Sequence, residues 1–235
     1  MIRTDQIDFK RGDFHLSVEP FEIATGEKVA VLGENGSGKS TLMHLMVGVL
    51  GSADVSYQGE NLQEMGYGER ARVFSFLPQL PEVSFPFTVF EVVKFGRFQS
   101  AENADEHTVR SLQSADVYHL KDKAFNELSG GEKRRAMFAR VMNQDTPVQF
   151  LDEPISMLDI RHKLEILQLV TDSEKTVVVS IHDVNLALEY FDRLIFLKDG
   201  KCLFDLHSGE VDAQMITEVF DVKVTGSAGN FKFYI

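Results

Sequence analysis

The sequence predicts an α/β domain built on a buried, largely parallel sheet, and three observations predict it. Lys28 to Leu32 (KVAVL) is a short, mostly apolar run that stops at Gly33, as a strand covered on both faces does. A helix pattern follows from Lys39 to Val47, with Leu42, Leu45 and Met46 at helical spacing and Gly48 placed to stop it. Two further apolar runs, Val148 to Leu151 and Thr176 to Ile181, end in polar residues and have helical patterns near them. In open sheets of this kind ligands bind at the carboxyl ends of the strands. The stretch from about Phe87 to Asn143 reads mostly as helix and separates the first strand unit from the second. It is expected as a helical subdomain, about 84–143, inserted into one domain spanning 1–235.

Composition removes several function classes. The 24 basic and 36 acidic side chains leave a formal charge of −12, and no block of Lys and Arg stands apart from the acids, so no nucleic-acid partner is expected. A hydrophobic fraction of 43% suffices for a buried core. Cys202 has no second cysteine to pair with, and Met1 to Asp5 lacks the apolar core of a secretory signal, so a cytoplasmic protein is expected. The longest apolar runs, Val177 to Val179 and Leu42 to Leu50, fall short of the roughly 20 residues that cross a bilayer. Any membrane role must be borrowed from a partner. No fixed-period repeat or low-complexity linker divides the chain.

The segment Gly33-Glu34-Asn35-Gly36-Ser37-Gly38-Lys39-Ser40-Thr41 fits the phosphate-loop pattern G-x-x-x-x-G-K-S/T and sits between a predicted strand and a predicted helix, the context that pattern requires. Its glycines let successive N–H groups point inward at phosphate oxygens, and the following helix adds the positive end of its dipole. Lys39 is expected to reach the β- and γ-phosphates of ATP, and the Ser40 hydroxyl to coordinate Mg²⁺. A Gly-rich surface turn explains the glycines but leaves the strand and helix on either side to coincidence.

Val148-Gln149-Phe150-Leu151-Asp152-Glu153 is a strand ending in two carboxylates, an expensive place for acids without a cation. Asp152 is expected to hold the metal, and Glu153 to take a proton from the attacking water as general base. In isolation the same two acids, before Pro154, would read as a helix start; the phosphate loop upstream shifts the balance. His182 follows Thr176 to Ile181 and is placed to hydrogen-bond the γ-phosphate or the attacking water.

Leu128-Ser129-Gly130-Gly131-Glu132 reads physically as Ser129 capping a helix whose first turn carries two glycines and exposed N–H groups. Between a phosphate loop and a strand ending in Asp-Glu, this LSGGE run resembles the signature of ABC ATPases, over nearly the whole chain. The resemblance implies a P-loop NTPase core, RecA-like, with an antiparallel β subdomain and an inserted helical subdomain. It also implies a head-to-tail dimer with a second copy of the chain, sandwiching two ATP, in which Ser129, Gly130 and Gly131 of one copy bind the γ-phosphate held by the other's loop. Gln79 in FLPQ looks like the lid glutamine, which also contacts the metal, and Ser156-Met157-Leu158-Asp159 like the loop that crosses the dimer interface. His182 matches the switch histidine.

Thr88 to Arg97, Leu158 to His162 and His182 to Ala187 look like the branch that serves importers of iron-siderophore, haem and cobalamin. The chain is accordingly expected to act on the inner face of the cell membrane, driving integral membrane subunits that import a metal chelate or corrinoid. Leu80-Pro81 and Phe85-Pro86-Phe87 are candidates for docking those subunits, Phe85 and Phe87 equally for packing the subdomain core. Two departures stand out: Ile155 where the family usually has Thr, and Lys133-Arg134 where a residue followed by Gln is usual. Phe9 and Phe14 are the candidates for stacking on adenine. The alternative function is a soluble cassette ATPase of the iron–sulfur assembly type, without a membrane partner; a non-hydrolysing regulator conflicts with the intact Asp152-Glu153 pair.

Overall fold

In the computed structural model, residues 1–51, 53–79, 85–99, 102–227 and 229–234 are described. The strands and helices run β1 (Ile2–Thr4), β2 (Ile7–Arg11), β3 (Phe14–Val18), β4 (Phe21–Ile23), β5 (Lys28–Gly33), α1 (Lys39–Met46), β6 (Val55–Tyr57) and β7 (Glu60–Asn61). There follow α2 (Tyr67–Val73), β8 (Phe74–Leu77), α3 (Val89–Lys94), α4 (Ala104–Ser114), α5 (Gly130–Gln144), β9 (Val148–Asp152) and α6 (Ile160–Thr171). The chain closes with β10 (Thr176–Ser180), α7 (Val184–Tyr190), β11 (Arg193–Lys198), β12 (Lys201–His207), α8 (Ala213–Phe220), β13 (Lys223–Thr225) and β14 (Lys232–Tyr234). Two units divide it: Met1–Gly66 with Ser173–Ile235, and Tyr67–Asp172.

In the first unit the strands β2-β3-β12-β11-β5-β10 lie side by side in that order. β5 is parallel to both neighbours, with Val29 opposite Val178 and Arg193, and every residue from Lys28 to Gly33 is buried. The β-branched run Val177-Val178-Val179 suits that position, because each branched side chain packs on a pleated face and none meets water. Burying one such valine contributes about 1.5–3 kcal/mol. The expected strand ends at Ser180 rather than Ile181, although the Ile181 N–H still donates to Val31 O at 3.1 Å. A second sheet of this unit, β4-β1-β6-β7, is antiparallel throughout, and β1 alternates buried Ile2, exposed Arg3 and buried Thr4 as a strand with one wet face does.

In the second unit β8 and β9 pair in parallel, from Phe74 opposite Val148 to Leu77 opposite Leu151. Among the described residues from 87 to 143 there are helices and no named strand. α3 begins at a capping box in which Thr88 and Glu91 satisfy each other's N–H groups, and α5 at the equivalent box of Ser129 and Glu132. α3, α4 and α5 pack together. Their approach needs Gly96, where an added Cβ would stand 2.4 Å from Arg140 O. The buried Asn143 amide ties the three, donating to Val93 O at 2.9 Å and to Thr108 Oγ1 at 3.0 Å.

Candidate functional site

The glycine loop joins β5 to α1 in the first unit. Gly33 adopts φ +147°, and a Cβ there would lie 2.1 Å from Leu197 O, so only glycine lets β5 turn into the loop beside β11. Glu34, Asn35 and Gly36 are exposed, whereas Ser37, Gly38 and Lys39 are buried. Lys39 Nζ folds back onto the loop, donating to Gly33 O and Glu34 O at 2.8 Å each. Ser37 Oγ is buried without a hydrogen-bond partner. Such an orphan costs about 1–3 kcal/mol and suits a ligand that brings an acceptor oxygen. Ser40 and Thr41 stand half-buried in the first turn of α1, which carries no acidic residue. A loop with glycines at positive φ, a buried ammonium, an unsatisfied hydroxyl and a helix N-terminus without an acidic residue in its first turn together fit a polyphosphate.

His182 is exposed, two residues past the end of β10. Because β10 runs parallel to β5, with Ser180 opposite Val31, His182 leaves the sheet at the edge where the glycine loop starts. Of the two candidate aromatics, Phe14 lies against the loop: its Cζ would be 3.1 Å from a Cβ on Gly38. Phe9 instead packs near Gly51.

The second unit holds the acids. Asp152 ends β9 at 1% exposure, and Glu153 follows in a left-handed conformation, φ +51°. Neither caps a helix, because α6 starts only at Ile160, with Asp159 as its cap. Gln79, two residues beyond β8, is exposed and donates from Nε2 to Glu153 Oε1 at 2.7 Å, so the parallel register brings two residues 74 positions apart into contact. Ser129 and Gly130 are exposed at the start of α5, with Gly131 half-buried, and the Ser129 hydroxyl donates to Glu132 Oε2 at 2.7 Å. Asp159 accepts from the His162 N–H at 3.0 Å and pairs with its ring Nδ1 at 2.7 Å. The other ring nitrogen, Nε2, meets Arg135 at 2.7 Å and Asp116 at 3.3 Å. Hydrogen bonding to His162 holds the Asp116 carboxyl below its ordinary range.

Arg134 has no role in the motif reading beyond marking a departure from the family pattern. It is 3% exposed, and its guanidinium bonds the carbonyls of Pro78, Gln79, Asp152 and Glu153. Burial lowers its pKa to about 10, against the attraction of Asp152 and Glu153, so it stays a cation at neutral pH. Helical spacing was the available signal, since Arg134 precedes the buried Met137, Phe138 and Val141 by three, four and seven residues. The other departure, Ile155, is buried at 7% exposure, where an apolar side chain replaces the family's hydroxyl. Phe85 is 66% exposed and is no core residue; the half-buried Phe87 ring meets Phe85 at 5.9 Å and Phe95 edge-on at 5.0 Å. Leu80 and Pro81 lie outside the described residues.

Comparison with known proteins agrees with these features. The ABC transporter family pattern matches residues 17–156. The chain is 40% identical over 195 residues to the hemin import ATP-binding protein HmuV of Nocardia farcinica, covering 79% of this chain and 68% of that one. It is 32% identical over 247 residues to the petrobactin import ATP-binding protein FpuC of Bacillus anthracis, covering 99% and 91%. Among solved structures, a dimeric ATP-binding cassette in a post-hydrolysis state bound to ADP and Pi superposes with a TM-score of 0.78 at 25% identity, over 88% of this chain and 99% of that one. Among the described residues no helix is long and apolar enough to cross a membrane. The fold is a P-loop NTPase core with an antiparallel β sheet, and the chain belongs to the ABC transporter family as an ATP-binding, ATP-hydrolysing cassette.

Proposed function

We propose that the chain is the motor of an importer for a metal chelate or corrinoid, closing on two ATP as a head-to-tail dimer and driving integral membrane subunits from the cytoplasmic face. The observation that carries the importer reading is the similarity to FpuC, named for petrobactin import, across 99% of the chain. HmuV, named for hemin import, supports the same class and favours it over a soluble assembly ATPase.

In this reading the N–H groups of Gly33, Asn35, Gly36, Ser37 and Gly38, with Thr41 behind them, cradle the phosphates. Lys39 exchanges its bonds to Gly33 O and Glu34 O for phosphate oxygens, and the Ser37 hydroxyl gains an acceptor. Ser40, Asp152 and Gln79 are the donors for Mg²⁺, which when bound offsets the charge of the phosphates. Glu153 accepts the proton of the attacking water, and its 2.7 Å bond to Gln79 fixes the carboxylate for that task. His182 stabilises the charge developing on the γ-phosphate, as do Ser129, Gly130 and Gly131 of the partner subunit. Phe14 is the aromatic that stacks on adenine.

The helical subdomain, about 84–143, transmits closure to the membrane subunits. Exposed Phe85 belongs to their docking surface, next to a cavity of about 850 Å³ lined by Phe87, Glu91, Lys94, Phe95, Arg97 and Phe98. The test is purification of the tagged chain from detergent-solubilised membranes of its source. A polytopic membrane protein in stoichiometric amount is expected; soluble partners alone would replace the importer reading with the assembly ATPase.

A further inference from the structure

Arg134 bridges the two segments that run on past the end of the β8–β9 ladder. The β8–β9 ladder stops at Leu77 opposite Leu151, and Pro78, without an N–H, cannot extend it. The next residues on each strand are the functional ones, Gln79 on one side and Asp152-Glu153 on the other. Across this gap Arg134 Nη1 donates to Pro78 O at 2.6 Å and Gln79 O at 2.9 Å, and Nε donates to Glu153 O at 3.0 Å. Nη2 donates to the carbonyls of Asp152 and Glu153. Glu153 holds φ +51°, a conformation that a residue with a side chain keeps only where its surroundings over-determine it. The Glu153 carbonyl accepts from the Ser156 N–H at 3.1 Å and from two N–H groups of Arg134, and a guanidinium fork has the five donors the cluster demands.

We propose that Arg134 is a positioning residue for hydrolysis: by clamping the carbonyls on both sides of the gap it sets the contact between Gln79 Nε2 and Glu153 Oε1. The proposal rests on Glu153 as the general base. A glutamine, the residue usual at this position in the family, carries only two N–H donors and can hold at most two of the four carbonyls. The clamp in this chain is therefore the more rigid one, and it acts on orientation rather than on nucleotide affinity, because its bonds fall on the carbonyls of Pro78, Gln79, Asp152 and Glu153.

The test is steady-state hydrolysis by the full chain carrying Arg134→Met or Arg134→Gln. Arg134→Met keeps the apolar stem without a donor. Its kcat is expected to fall about 10- to 100-fold, the scale of a misplaced catalytic group, with KM for ATP within about twofold of the parent. Arg134→Gln should recover part of the loss. In a Gln79→Ala background, Arg134→Met should cost much less than it does alone, because the contact it sets is already gone. An unchanged kcat in either folded variant, a KM that rises in step with the fall in kcat, or full additivity with Gln79→Ala would each overturn the proposal. Should Arg134→Met not fold, Arg134→Gln alone decides: a parental kcat rejects the clamp. Glu153→Gln, measured in parallel, separates the two claims, since high turnover there would remove the general-base reading whatever Arg134 does.

Discussion

Replacing Glu153 by Gln isolates the proton transfer from everything else the residue does. The amide retains an oxygen that can accept from Gln79 Nε2, now 2.7 Å from Glu153 Oε1, so the contact survives as a neutral bond. A neutral hydrogen bond contributes about 1 kcal/mol less than a charge-assisted one, so the folding cost is about 1 kcal/mol. In a chain of this size that lowers Tm by about 2–4 °C. The left-handed backbone at φ +51° is equally strained with either residue and adds nothing to the difference. What disappears is the basic oxygen, and general base catalysis accounts for about 10²- to 10⁴-fold in rate. At 1.36 kcal/mol per decade, the barrier rises by about 2.7–5.4 kcal/mol, several times the stability loss. Phosphate release under saturating ATP measures kcat, fluorescent-nucleotide titration measures affinity, and gel filtration with ATP reports association. Near-abolished turnover, near-parental affinity and an accumulated dimer are expected. Turnover within about tenfold of the parent, with the protein folded and ATP bound, would refute Glu153 as the base.

Three further substitutions probe the remaining parts. Lys39→Ala removes the ammonium that Gly33 O and Glu34 O now hold, and should weaken ATP binding by at least about tenfold in the same titration, the scale of one charged hydrogen bond to phosphate. Ser129→Ala removes the α5 cap at a cost of about 1 kcal/mol, read by urea unfolding. The Ser129 hydroxyl and N–H hold the Glu132 carboxyl below its ordinary 4.5. A depressed carboxyl contributes stability that is present above the ordinary value and is lost as pH falls through the lower folded one, so the Ser129→Ala penalty should be full at neutral pH and shrink in acid. A penalty that grew in acid would contradict the assignment. Phe85→Glu changes an exposed ring and should leave Tm and unstimulated hydrolysis intact while lowering uptake by cells; unchanged uptake would take Phe85 out of the docking surface.

Some of this was legible in the residues alone. The strand Lys28 to Gly33, the helix from Lys39 and the cap at Ser129 are encoded within a few consecutive positions, by apolar period, glycine placement and side-chain oxygens. Other points depend on the tertiary structure. Phe9 and Phe14 look equivalent along the chain, yet only Phe14 reaches Gly38. The two strands β8 and β9 are separated by a long helical stretch, so nothing local announces that Gln79 meets Glu153. The Asp159–His162–Asp116–Arg135 cluster joins α6 and its cap, α5 and the turn after α4 in the same way.

The sequence by itself determined the chemistry available to this protein: a phosphate loop, a strand ending in two acids, a signature helix and the order in which they come. Only the tertiary structure decided that a departure from the family pattern, Arg134, is buried against four carbonyls drawn from two strand ends. The reason is one of range. Turn chemistry and periodicity are fixed by neighbours within one helical turn, whereas the partners of a buried guanidinium, here up to 56 positions distant, are set by sheet register and helix packing.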